Sequence, residues 1–211
     1  EIMPSLVGSE MCIRDRFNTI AKTPERYKVE ALQEGMKKPE PTPESMAPAQ
    51  ETSTKPADES KKLWIDRYLS VSYPLQRIRI TSPYGYRKDP FTGKRKFHGG
   101  IDLHARGEQV LAMMEGVVVK VGQDKTSGKY VTLRHGNYTV SYCHLSRVLA
   151  AKGTVVRPRD AVGITGSTGR STGEHLHVTC KLNGKNINPS VLFDYIKSMQ
   201  QECVSALAGL L

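Results

Sequence analysis

Apolar and polar positions follow two different rhythms along this chain. From residue 77 onward, short runs rich in β-branched and aromatic residues recur: Ile78 and Ile80, Val110 to Ala112, Val117 to Val121, Tyr130 to Leu133, Tyr138 to Tyr142 and Leu176 to Lys181. Clusters of Gly, Asn, Asp and Lys separate them at close intervals, which predicts a compact antiparallel β domain. Two segments carry helical spacing instead. Leu63-Trp64-Ile65-Asp66-Arg67-Tyr68-Leu69 predicts a short helix ahead of the strands, and Pro189 to Gln201 predicts a terminal one. The expected fold is therefore mostly β, with short flanking helices and the domain proper over residues 63–201, followed by a tail at 202–211.

Residues 37–62 follow neither rhythm. Pro39, Pro41, Pro43, Pro48 and Pro56 stand there among Glu, Ser, Thr and Lys. Such a stretch buries too little apolar surface to offset its ordering entropy, so residues 17–62 are expected to form an N-terminal region and a disordered linker. Residues 1–16 do not start at Met and lack the apolar core of a signal peptide. They resemble a translated sequencing adaptor and are expected to be non-native, with any true secretory signal lost upstream. No run approaches the ~20 apolar residues that a membrane-spanning helix needs.

Two clusters carry candidate chemistry. In His175-Leu176-His177 the histidines sit at i and i+2, which on a strand point to one side about 7 Å apart. In His98-Gly99-Gly100-Ile101-Asp102 the paired glycines disfavour a helix. An extended chain would hold His98 and Asp102 roughly 13 Å apart, so a shared site needs a bend, which Gly99-Gly100 tolerates. Together the clusters supply three histidines and one carboxylate. That set suits a zinc ion that keeps an open position for a reactive water, and makes the chain a candidate metallohydrolase.

His98-x-x-x-Asp102, Tyr142-Cys143-His144-Leu145-Ser146 and His175-Leu176-His177 resemble, in this order, the three signatures of the lysostaphin-type (LytM-like) zinc endopeptidases. Ser82-Pro83-Tyr84-Gly85-Tyr86-Arg87 resembles that family's entry strand, and Gly163 to Gly169 its glycine-rich run before the HxH. The resemblance covers Ile78 to Phe193. It implies one zinc per chain on His98, Asp102 and His177, with His144 and His175 handling the water and the developing oxyanion. It also implies a groove across one sheet, and peptide hydrolysis in peptidoglycan cross-links by a periplasmic or secreted protein. Two other readings share the fold: a catalytically silent wall-binding or amidase-activator module, and a peptidase of non-wall peptides. Silent relatives lack some of the five positions, and all five are filled here.

Rival motifs fare worse. A cupin would add a carboxylate soon after the HxH, but Val178-Thr179-Cys180-Lys181-Leu182-Asn183 has none. The glycines at 163, 166, 169 and 173 precede no Gly-Lys-Ser/Thr, so a phosphate loop is excluded. His104 falls two after Asp102 and could face the site; His135, beside Gly136-Asn137, reads as a structural hairpin residue.

Charge and cysteines refine the picture. Residues 73–195 carry 19 Lys and Arg against 8 Asp and Glu, whereas residues 1–72 carry 11 against 12. The basic excess thus belongs to the β domain and suits carboxylate-bearing wall peptides. No motif supports a nucleic-acid partner. Cys143 and Cys180 are expected to be small buried residues pointing away from the catalytic face. An oxidising compartment would allow a bridge between them, which spacing alone does not require. Cys203 falls in the expected tail and Cys12 in the adaptor-like segment.

Overall fold

The computed structural model describes residues 56–210; the segment expected at 1–16, with Cys12, and the expected linker up to residue 55 lie outside the described residues. Helix α1 (Pro56–Leu69) comes first, followed by β1 (Ile80–Ser82), β2 (Gly85–Lys88), β3 (Arg95–His98) and β4 (Ile101–His104). Next are β5 (Gln109–Leu111), β6 (Gly116–Asp124), β7 (Gly128–His135) and β8 (Tyr138–Leu145). The chain continues through β9 (Arg147–Val148), β10 (Val155–Val156), β11 (Ala161–Ile164), β12 (His175–Leu182) and β13 (Lys185–Ile187), and ends in α2 (Ser190–Ala208). Each expected strand run lies in or overlaps one of these strands, except that Ile78 falls before β1.

Both helices are longer than their sequence patterns indicate. α1 starts at Pro56, inside the expected linker, and carries Asp58 and Glu59 in its first turn. Proline is tolerated in a first turn, where its missing N–H has no partner to lose, and the two acids complement the positive end of the helix dipole. α2 runs on to Ala208, and its buried stripe carries it past Gln201: Leu192, Phe193, Ile196, Met199 and Cys203 are all buried. The expected tail is therefore mostly helix, and its cysteine is buried in it. No helix among the described residues is long and apolar enough to cross a bilayer.

Among the described residues the strands form three sheets, and their pairings are antiparallel. The main sheet runs β1-β4-β12-β8-β7-β6-β10, with β13 beside β12; a second runs β5-β11-β9, and β2 and β3 pair as a separate hairpin. β12 sits between β4 and β8, so its two faces organise the sheet. Leu176, Val178 and Cys180 point into the core and are fully buried. Their cross-strand neighbours Leu103, Ile101, Val140 and Tyr142 are buried with them. The alternate residues of β12, His175, His177, Thr179 and Lys181, line a groove on the other face. One period-2 pattern thus builds core and site together.

His135 ends β7 and is fully buried. Its Nδ1 lies 2.9 Å from the Glu115 carbonyl, and since a carbonyl only accepts, Nδ1 carries the proton. Burial pushes its pKa down, against the raising effect of that hydrogen bond. It is a structural residue of the hairpin, as expected.

Leu176 packs opposite Leu103 beneath the site. Leu176→Ala should cost about 3 kcal/mol of unfolding free energy through lost burial and the cavity left behind. Urea denaturation of the variant against the unaltered chain checks this.

Candidate metal centre

His98 closes β3 in the hairpin, while Asp102 lies in β4 of the main sheet. Gly99 and Gly100 make the turn between the two sheets, and the expected bend is there. It brings His98 Nε2 to 3.2 Å from Asp102 Oδ1. Gly100 is required for space: a Cβ there would sit 2.7 Å from Cε1 of His177 and closer still to the Val178 carbonyl.

His177 faces Asp102 across the β12–β4 ladder. Its Nδ1 lies 2.6 Å from Asp102 Oδ1 and 3.1 Å from His98 Nε2. One ligand atom from each of His98, Asp102 and His177 therefore falls within 4.8 Å of the others, close enough to hold a metal ion. His98 Nδ1 lies 2.8 Å from the Pro83 carbonyl, so it carries the proton and leaves the Nε2 lone pair directed inward. Arg87 donates to the other Asp102 oxygen, Oδ2, at 3.4 Å. Burial alone would raise the Asp102 pKa, but the His177 and His98 rings packed against it hold the carboxyl well below the usual carboxylate range. Two imidazole nitrogens and one carboxylate oxygen, with a proton fixed on the far side of His98, form a donor set that fits zinc.

His144 and His175 stand beside this cluster, their ring centroids 4.8 Å apart. His144 reaches the groove by a break in strand regularity. Lys129 pairs with Leu145 but Val131 pairs with Tyr142, so Cys143 and His144 together oppose Tyr130. This is a β-bulge, and His144 takes the extra turn at φ 62°. Its Nδ1 lies 2.8 Å from the Thr168 carbonyl. His175 Nδ1 lies 2.8 Å from the Gly173 carbonyl, and its Nε2 lies 3.6 Å from Asp102 Oδ1. Each Nδ1 therefore holds the proton, and each Nε2 offers a lone pair. Burial lowers the His144 pKa, and the neighbouring His175 and His177 add to this against the Thr168 hydrogen bond, favouring the neutral ring.

The same bulge overturns one expectation. Cys143 is buried, but it pairs with His177 and lines the groove, so it does not point away from the catalytic face. Alternation counted from Tyr142 puts Cys143 on the groove side, and the bulge then puts His144 there as well. Cys180 does face the core. The two cysteines lie on opposite faces and both are free thiols, which excludes a bridge between them. Burial pushes each thiol pKa up to about 12.

The groove measures about 780 Å3. Its floor continues away from the metal cluster as a polar row in which Thr132 and Ser141 share a 2.9 Å hydrogen bond. His104 is exposed in the groove wall and pairs with His175 across the ladder. All five site residues expected from sequence meet here. Arg87 and the carbonyls of Pro83, Thr168 and Gly173 were not anticipated. Backbone acceptors leave no trace in residue identity; Arg87 is conspicuous only as the end of the Ser82–Arg87 segment.

Residues 96–189 match the family model of Peptidase family M23. These residues of the β domain are thus similar to the peptidases of family M23. The chain's relatives include an uncharacterized metalloprotease of Haemophilus influenzae, 42% identical over 56% of this chain and 26% of that protein. The peptidoglycan DD-endopeptidase ShyC of Vibrio cholerae is 40% identical over 55% of this chain and 28% of its own length. The chain thus spans little more than a quarter of the curated relatives it matches. Among solved structures, the β domain resembles the catalytic domain of lysostaphin from Staphylococcus simulans with TM-score 0.53 and 26% identity, covering 60% of this chain and 98% of that one. It also resembles a zinc-containing peptidase from Vibrio cholerae, with TM-score 0.52 and 31% identity over 55% of this chain and 37% of that one.

Because Gly100 has no room for a side chain, Gly100→Ala should displace His177 and weaken zinc binding at least tenfold, about 1.4 kcal/mol. Competition against a chromophoric chelator measures this; unchanged affinity would show that the close approach is not needed.

Proposed function

We propose that this β domain is a zinc-dependent endopeptidase that hydrolyses peptide cross-links of peptidoglycan in the bacterial cell envelope. The observation that carries the reading is the convergence of His98 Nε2, Asp102 Oδ1 and His177 Nδ1 beside two further histidines whose tautomers are fixed. His98, Asp102 and His177 would hold the zinc. When bound there, zinc supplies Lewis acidity and makes water reactive at neutral pH.

The remaining chemistry belongs to His144 and His175. With Nδ1–H donated to a carbonyl, each ring has its Nε2 lone pair free to take a proton from the attacking water. Once protonated, the same Nε2 donates to the developing oxyanion or to the leaving amine. Their placement side by side in the groove wall lets one ring accept while the other donates. Arg87 keeps Asp102 Oδ2 engaged, so that Oδ1 faces the histidines.

The substrate assignment rests on the groove and on the relatives' names. Arg87, Lys96, Lys120 and Lys181 line it together with Asp89, Asp102, Asp124 and Glu174, and its lysines can meet peptides that carry free carboxylates. ShyC is named a peptidoglycan DD-endopeptidase. Mpg of Neisseria meningitidis, 42% identical over 55% of this chain and 27% of its own length, is named a DD-carboxypeptidase/endopeptidase. A protein acting on such substrates would work in the periplasm or outside the cell.

The test is digestion of purified peptidoglycan by the full chain with zinc, read by mass spectrometry of released fragments. Cross-linked dimers should disappear with the unaltered protein. His144→Ala should retain zinc and lose at least about 100-fold in turnover, whereas His98→Ala should lose zinc itself. Equal zinc loss in both variants would contradict this division of roles. Wall peptides left intact while other peptides are cut would transfer the activity to a different substrate.

A further inference from the structure

The loop between β11 and β12 supplies the carbonyls that hold His144 and His175, and its two halves are anchored in different ways. The first half is fixed by backbone packing. Thr168 Oγ1 donates to the Leu145 carbonyl at 2.7 Å and accepts from the Lys129 N–H at 2.9 Å. The Arg170 N–H donates to the Thr126 carbonyl at 3.0 Å, and Gly169, at φ 74°, lies against Gly128 with no room for a Cβ. The Thr168 carbonyl that orients His144 is thus held by the sheet itself.

The second half is held mainly through side chains: Ser167 Oγ donates to Ser171 Oγ at 3.1 Å, and Glu174, next to Gly173, accepts from the Gly107 N–H and from Thr165 Oγ1. Among the described residues, Ser171 to Gly173 make a single backbone–backbone hydrogen bond, from the Ser171 N–H to the Gly169 carbonyl. Yet this half holds His175: its Nδ1 lies 2.8 Å from the Gly173 carbonyl and 3.2 Å from Ser171 Oγ. The tie to the β2–β3 hairpin enters at Arg170. Nη2 of Arg170 lies 2.8 Å and 3.1 Å from the two oxygens of Asp89, and its guanidinium sits 4.4 Å over the Phe91 ring.

Asp89 is well suited as an anchor. It is buried, and its Oδ1 also accepts the N–H groups of Phe91 and Thr92 at 2.9 Å each, capping the turn between β2 and β3. Burial alone would raise its pKa, but those N–H groups and Arg170 hold it at about 2. The carboxylate is a fixed charge on the same hairpin that ends in His98.

We propose that the Asp89–Arg170 pair is a positioning device for His175: it clamps the Ser171–Gly173 segment, which has little backbone support of its own, to the β2–β3 hairpin and so fixes the imidazole tautomer and orientation used in proton transfer. The inference rests on the peptidase reading for its consequence in catalysis, but not for its structural content. Because His144 is held by the other half of the loop, the pair acts on one histidine and spares its neighbour.

The experiment uses the full chain loaded with zinc and labelled with 15N-histidine. In Arg170→Gln, imidazole NMR should show His175 losing its single Nδ1–H state while His144 keeps it. With wall peptide as substrate, kcat should fall about 100-fold, as expected for misplacement of a reacting group, with KM and zinc content little changed. Arg170→Lys, which restores a point charge to Asp89, should recover most of the loss. Asp89→Asn, which leaves an oxygen to cap the turn, should reproduce the Arg170→Gln spectrum and serves if that variant fails to fold. An unchanged His175 signal, or equal disturbance of both histidines, would overturn the proposal. Absence of cleavage by the unaltered protein would instead defeat the peptidase reading, and the NMR result would still decide whether the pair positions His175.

Discussion

Two imidazole lone pairs and a carboxylate oxygen gathered into one partly buried space are costly to desolvate and gain little from one another unless a cation lies between them. The rest of the domain is arranged to keep them there. β12 and β4 fix the His177–Asp102 register, the Gly99-Gly100 turn returns His98 from another sheet, and the Pro83 carbonyl fixes its proton. Each device prevents a relaxation that would otherwise disperse the cluster. The core on the reverse face stiffens them all, because Ile101, Leu103, Leu176 and Val178 alternate with the site residues and are fully buried.

Division of labour among the four histidines follows from where their protons sit. His98 gives its Nδ1–H to a carbonyl and turns Nε2 toward Asp102 and His177. His144 and His175 do likewise, but their carbonyl partners belong to the loop between β11 and β12. In the proposed function one surface would hold the metal ligands and another would align the proton-transfer pair, which makes the two roles separable by substitution. The Asp89–Arg170 clamp joins them, since it ties the second surface to the hairpin that ends in His98.

Much of this was legible in residue order. Period-2 alternation at His175 and His177 predicts a shared face, and paired glycines predict the bend that joins His98 to Asp102. Cys143 shows where such reasoning fails. Its face follows from pairing with His177, and the extra residue of the bulge that brings His144 alongside it appears only once β7 and β8 are in register. Asp89 and Arg170 are 81 residues apart and share no motif. The carbonyls of Pro83, Thr168 and Gly173 are hidden for a simpler reason, since every residue has one. α1 begins earlier than expected because a proline that reads as a linker residue is equally at home in a helix's first turn.

In the proposed function His98, Asp102 and His177 hold the ion while His144 and His175 remain off it. Crystals of the zinc-loaded protein, measured at the zinc absorption edge, test it most directly. One anomalous peak is expected within bonding distance of His98 Nε2, Asp102 Oδ1 and His177 Nδ1, with the Nδ1 atoms of His144 and His175 still on their carbonyls. A peak ligated by His144 or His175 in place of any of those three would contradict it.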